Sequence, residues 1–189
     1  MIWRVMFLVS VVPIAVALLA RWWFGIRVLG AEGRRICRCD AARWAKLPGA
    51  GKEPPPTEAP AREHAVRLRT AALAAWSERA PKLAASREGS KRFGMAVPPL
   101  TVMVAVFAIL LAKVPVMGGI SIILASIAIS ATLRLLGLGS ELRAVAAQVN
   151  AMRESRVFPR LDDEDAVAAC TAAEAWNDSV PPVLKFLQP

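Results

Sequence analysis

Three long apolar runs interrupt an otherwise polar and charged chain: residues 5–20, 95–112 and 114–133. None of them contains Asp, Glu, Lys, Arg or His. Runs of about 18 residues or more are long enough to cross a bilayer, and the first reaches that length with its flanks. The stretch MIWRVMFLVSVVPIAVALLARWWFG therefore predicts a first transmembrane helix over residues 1–24. Trp3 and Trp22 are separated by a rise of roughly 28 Å, so an indole falls at each face of the hydrocarbon layer. Pro13, mid-span, predicts a kink of the kind membrane helices tolerate. The competing expectation is a cleaved signal peptide, with Arg4 as its basic end. Leu18 fits a small-x-small cleavage site poorly, and the basic, apolar RWWFGIRVLG that follows is unlike a secreted start.

The other two runs, FGMAVPPLTVMVAVFAILLA and GISIILASIAISATLRLLG, predict a transmembrane helical hairpin over residues 93–137. KVPVMGG between them carries turn chemistry. Pro98 and Pro99 allow two arrangements. A helix starting there would rise only about 22 Å by Ala112, too little for a full span. A longer helix containing both prolines would cross, and that is the expectation adopted. Within lipid, helices associate through small residues that permit close approach. Ala105, Ala108 and Ala112 on the second span, with Ser126 and Ser130 on the third, are the candidate helix-packing positions.

The polar remainder alternates loops with amphipathic helices. Residues 25–92 form a basic loop, within which IRVLGAEGRRICRC reads as a helix extension or a small hairpin turning at Gly30 and Gly33. LPGAGKEPPPTEAPA (residues 47–61), with five prolines and two glycines, predicts a flexible linker. Residues 62–80 then form an amphipathic helix, with Leu68, Ala72 and Trp76 on one stripe beside Ala65 and Ala75. PKLAASRE reads as a second short helix. Residues 138–189 hold C-terminal helices: one capped by Ser140 with Leu142, Val145, Val149 and Met152 on its inner face, one Ala-rich helix from Asp162, and a short apolar end. The fold class expected is an all-α membrane protein, an N-terminal anchor plus a helical hairpin, with a small helical cytoplasmic region.

Charge adds an orientation. The chain is 56% hydrophobic yet carries a net charge of +9. Residues 21–92 hold 16 Lys and Arg against 7 Asp and Glu. Basic residues flanking spans stay on the cytoplasmic side, which puts the amino terminus outside and the carboxyl terminus inside a bacterial-type inner membrane. Arg21, Arg27, Arg34, Arg35, Arg38 and Arg43 are the expected contacts for anionic lipid headgroups. Nucleic acid is not an expected partner, since the basic segment abuts a membrane span and no recognition module is present. The expected partners are membrane lipid and a protein, either another chain or a second copy.

Candidate chemistry is thin. Cys37, Cys39, His64 and Cys170 share the cytoplasmic side and would be four zinc ligands, but a one-residue gap between cysteines is not the usual two-to-four spacing. Arg34, Arg35 and Arg38 would activate a thiolate, although a reducing compartment and the lack of CxxC argue against a disulfide role. The acids at 162–165 lack the spacing and glycine of a calcium loop and suit the first turn of a helix. No hydrolase, nucleotide or dinucleotide motif occurs, and no ionisable residue lies deep inside a span, as transport would require. The function expected is a non-catalytic membrane accessory or scaffold protein without cofactor or metal. Its alternatives are a thiol- or zinc-dependent membrane protein using Cys37 and Cys39, or an oligomeric pore built from the hairpin.

Overall fold

The computed structural model describes residues 2–51, 55–181 and 184. It is about 79% helical and contains three helices long and apolar enough to cross a membrane, so the all-α expectation holds. In chain order the elements are α1 (Ile2–Ala20), a π-helix (Arg21–Ile26), α2 (Arg27–Glu32), β1 (Ile36–Arg38), α3 (Ala41–Trp44), β2 (Glu58–Pro60), α4 (Ala61–Arg79), α5 (Pro81–Leu110), α6 (Val116–Glu154) and α7 (Leu161–Asn177). The chain divides into an apolar unit of Met1–Leu19, Ser86–Gly137 and Ser179–Pro189, and a polar unit of Ala20–Ala85 and Leu138–Asp178.

In the apolar unit α1 and α5 bury little of themselves, while α6 buries more. Along the 30 residues of α5 only Gly94, Pro98 and Ala105 are buried, while Leu100, Met103, Phe107 and Leu110 are exposed. Residues 93–110 of α5 carry no charge on any side and so have no aqueous face, which is the pattern of a lipid-facing span. A small cluster of Ala17, Ile127, Ala131, Val180 and Leu184 packs α1 against α6. At the other end of α1, Ser121 Oγ donates to the Trp3 carbonyl at 3.0 Å. Pro98 and Pro99 lie inside the continuous α5, and Pro13 inside α1.

The polar unit has an ordinary core. Leu68, Ala65 and Ala72 of α4, Val145, Val149 and Met152 of α6, and Val167 and Cys170 of α7 form one buried cluster with Trp44 and Phe158. The apolar stripe of α4 and the face expected on residues 142–152 thus meet in a shared interior, except that Trp76 and Leu142 are only half-buried and lie outside the cluster. Each is the 3.6-residue periodicity at work. α7 begins with Asp162, Asp163 and Glu164 in its first turn, where the helix dipole favours acids.

Several local expectations are corrected. The separate short helix at 81–88 and the helix capped by Ser140 do not exist as such. α5 runs unbroken through the expected boundary at 92–93, and α6 through that at 137–138. Polar residues change which solvent a helix faces, but they do not break its backbone hydrogen bonds. Neither boundary carries a proline to do so. Ala112 is not on a packing face: it lies in the turn after α5, exposed, with φ 52°. Of the two readings of the stretch around Gly30 and Gly33, the structure has the helix extension, α2, and no local hairpin; β1 pairs antiparallel with β2, Cys37 opposite Ala59. That pairing makes the end of the 47–61 segment ordered strand rather than free linker. Its start is also held, by Gln148 Nε2 donating to the Pro48 carbonyl at 2.9 Å. The centre of that linker, residues 52–54, lies outside the described residues, as do residue 1 of the first span and residues 182–183 and 185–189 of the apolar end.

Candidate functional site

α7 receives arginines from the segment before β1, from α4 and from α6. Arg35 reaches Asp162 at 3.4 Å and Asp163 at 3.5 Å, from the loop before β1. Arg62, in the first turn of α4, meets Glu174 at 2.6 Å. Arg153, near the end of α6, bridges Glu164 at 3.2 Å and Asp165 at 2.7 Å. The acids at 162–165 are therefore engaged by basic side chains, which is how the loop and the last helix are tied together.

The most enclosed of these networks centres on Arg69. Its Nε donates to Glu141 Oε1 at 2.8 Å and its Nη2 to Asp178 Oδ2 at 3.1 Å. The side chain is 14% exposed, and that of Glu141 7%. Burial alone would lower the guanidinium pKa, but the two carboxylates more than offset this and raise it above the ordinary value. Such a charge is stable inside a protein only while its partners stay in place.

The six arginines expected at headgroups divide. Arg21 is buried, its Nε donating to Asn177 Oδ1 at 2.9 Å. Its placement depends on Gly25, four residues on. A β-carbon there would sit 3.1 Å from the Asn177 backbone nitrogen, so glycine lets the π-helix approach α7 this closely. Beside it Phe24 stacks on Trp176 with centroids 4.9 Å apart. Arg35 pairs with α7 as above, Arg38 with Glu58 at 2.6 Å, and Arg43 with Asp40 at 3.2 Å while also donating to the Arg156 carbonyl. Arg27 lies over the Trp23 ring, 4.8 Å from its centroid, and Arg34 is exposed. Of the set only Arg21 is buried; the other five are exposed, three of them while ion-paired within the protein.

Cys37, Cys39, His64 and Cys170 do come together, but as core. All four are buried, and the three thiols are free. The His64 ring lies 5.4 Å from Phe158, edge-on, and its Nε2 is 3.4 Å from the Cys37 carbonyl. Among the described residues no three His, Cys, Asp or Glu are arranged to hold a metal ion. Burial raises Cys37 to about 11, with Asp163 adding to it, Cys39 to about 12, and Cys170 to about 11. Burial also lowers His64. At neutral pH these are protonated thiols and a neutral imidazole. A protonated thiol is a weak nucleophile and a weak ligand, so the basic neighbours of Cys37 do not activate it.

No protein-family profile, curated protein or solved structure matches this chain.

In the apolar unit, Ala105 is buried and Ala108 half-buried. Ser126 and Ser130 are both buried, but their hydroxyls donate to backbone carbonyls of α6 itself, Ile123 at 2.8 Å and Ser126 at 2.9 Å. They contribute small size at the packing face rather than hydrogen bonds between helices. An open apolar groove of about 770 Å³ lies between α1 and α6, lined by residues including Val5, Val9, Ala128 and Ile129. Its two hydroxyls, Ser10 and Thr132, are likewise bonded within their own helices. The buried ion network around Arg69 and the buried hydrogen bond of Arg21 were not legible in the sequence, because each joins residues 72 to 156 positions apart.

Proposed function

We propose that the protein is a non-catalytic scaffold of the inner membrane, its amino terminus outside and its polar unit in the cytoplasm, contacting anionic lipid and a protein partner. The observation that carries this reading is how the polar unit uses its reactive groups. Its thiols and imidazole are enclosed and uncharged, and the acids and arginines around α7 engage one another. A unit arranged in this way offers outside molecules a shaped surface rather than a reaction centre. Orientation rests on the basic excess of residues 21–92, which resists translocation. Arg27 and Arg34 are the lipid-facing members of that segment.

Two measurements test the reading. Purification of the full chain in mild detergent after crosslinking in cells is expected to recover a stoichiometric protein partner or a second copy. A lone monomer under those conditions would remove the scaffold assignment. Orientation is read by cysteine labelling, and because Cys37 is fully buried the label must go elsewhere. Gly51 is exposed with open space around it, so Gly51→Cys supplies the site. It is expected to react with an impermeant maleimide only after the cells are permeabilised, and reaction in intact cells would reverse the topology.

A further inference from the structure

Residues 5–20 hold no charge, and Arg21 is the first one met after them. It opens the π-helix Arg21–Ile26, in which Arg21 and Gly25 face α7 while Trp22, Trp23 and Phe24 between them are exposed. With α1 read as a span, the uncharged stretch rises about 24 Å, which brings Arg21 to the inner edge of the hydrocarbon layer. The two exposed indoles that follow it are the side chains that favour a membrane–water interface.

The guanidinium of Arg21 is only partly used. Among the described residues its one hydrogen bond is that from Nε to Asn177 Oδ1 at 2.9 Å, and no carboxylate pairs with it. Nη1 is enclosed without a partner. Nη2 has no partner either but is not enclosed, so this residue, 8% exposed, reaches the surface there. Arg69, comparably enclosed, is held by Glu141 and Asp178. The neutral amide of Asn177 orients Arg21 without neutralising it, and a buried cation without a counter-charge is costly. The unused edge, Nη1 beside Nη2, offers paired N–H groups of the kind that two oxygens of one phosphate accept.

We propose that Arg21, oriented by Asn177, binds the phosphate of an anionic phospholipid at the inner end of the first span. The proposal rests on the membrane-spanning reading, and it places one lipid on an enclosed cation, apart from the general attraction of the exposed arginines. One phosphate oxygen accepts from Nη2 at the surface and a second from Nη1 behind it. The phosphate then supplies the negative charge that the carboxylates supply to Arg69. A net-anionic lipid is favoured over phosphatidylcholine, whose own ammonium group already balances its phosphate.

Thermal melting of the full chain in a neutral detergent, with and without added phosphatidylglycerol, reads this site, because a ligand held by the folded state raises its melting temperature. The wild type is expected to melt higher with phosphatidylglycerol and to gain nothing from phosphatidylcholine or from millimolar inorganic phosphate. Arg21→Gln is expected to lose the gain, its affinity for phosphatidylglycerol falling at least about tenfold. Arg27→Gln/Arg34→Gln is expected to keep it. Asn177→Ala keeps the charge but frees Nε, and Arg21→Lys keeps the charge without the fork; each is expected to weaken binding by a smaller factor. Those two variants decide the matter if Arg21→Gln does not fold. An undiminished gain in Arg21→Gln, or in both of the other two, would overturn the proposal. So would a wild type indifferent to phosphatidylglycerol, or an equal gain from inorganic phosphate, which would assign the edge to a soluble anion. Loss of the gain in Arg27→Gln/Arg34→Gln alone would move the lipid to the exposed arginines, sinking this site and leaving the membrane reading intact. Recovery of the chain in solution after lysis without detergent would remove the membrane reading itself.

Discussion

Alanine and leucine serve opposite ends in the two units. In the polar unit Leu68 is fully buried, with Ala65 and Ala72 beside it, because α4 must hide one stripe from water. In the apolar unit Leu100, Leu110 and Leu111 are 60%, 74% and 69% exposed, and the small residues Gly94, Ala105 and Ser130 are buried alongside a few larger ones such as Ile127. Water drives the first arrangement: large apolar side chains go inside. Lipid gives no such preference, so close backbone approach decides what is inside, and the large side chains face outward. The same contrast governs charge. The polar unit draws many of its acids and arginines into pairs on α7, whereas residues 93–110 and 116–133 of the apolar unit carry no charge at all.

The comparison can be broken at its strongest point first. Glu141→Ala removes the more deeply buried of the two carboxylates around Arg69 and is expected to destabilise the polar unit by up to about 5 kcal/mol, since it leaves Asp178 alone to balance a largely buried charge. Chemical denaturation followed by the fluorescence of Trp44 and Trp76 measures it. Arg69→Met combined with Glu141→Leu is expected to recover much of the loss, and no recovery would mean the pair matters for more than its charges.

Next comes a matched pair of truncations. Leu68→Ala is expected to cost about 2–5 kcal/mol by opening a cavity, whereas Leu110→Ala, facing outward, is expected to cost under about 0.5 kcal/mol. Equal costs from thermal melts in one detergent would erase the distinction between the units.

A pH titration sharpens the account of the buried thiols and imidazole. Cys37, Cys39 and Cys170 titrate at about 11 to 12 when folded but near 9 when unfolded, so folding keeps protons that the unfolded chain has lost. Stability is then full below about pH 9 and falls as pH rises toward 11–12. His64, lowered by burial, works in the other direction: the unfolded chain takes up a proton as pH drops below about 6.5, so stability falls on acidification. Denaturation midpoints across this range should form a plateau between the two limbs. Replacement of all three cysteines by alanine should flatten the alkaline limb, and an unchanged limb would place its origin elsewhere.

The smallest effect belongs to the exposed pairs. Arg38→Gln, which breaks a pair whose members are 68% and 52% exposed, is expected to cost about 0.2–1 kcal/mol and to lose that difference at high salt.

How much of this was legible from residues alone varies by element. The three apolar helices, the buried stripe of α4 and the inner face at 145–152 follow from periodicity and run length, and each appears where the pattern placed it. Helix ends did not follow so well. α5 and α6 pass through the points where hydropathy changes, because hydropathy reports the surroundings of a helix and not the continuity of its backbone. β1 and β2 were missed because their pairing is non-local, across a proline-rich segment that by composition is open chain.

By itself the amino-acid sequence determined the number of apolar helices, the faces they bury and the concentration of basic charge in one segment. These are local properties, readable from a window of neighbours. Only the tertiary structure decided which arginine meets which carboxylate, that the thiols and imidazole form core, and that Arg21 meets Asn177. Those outcomes depend on residues far apart in the chain meeting in space, and a pairing of that kind leaves no periodic trace in either of the segments it joins.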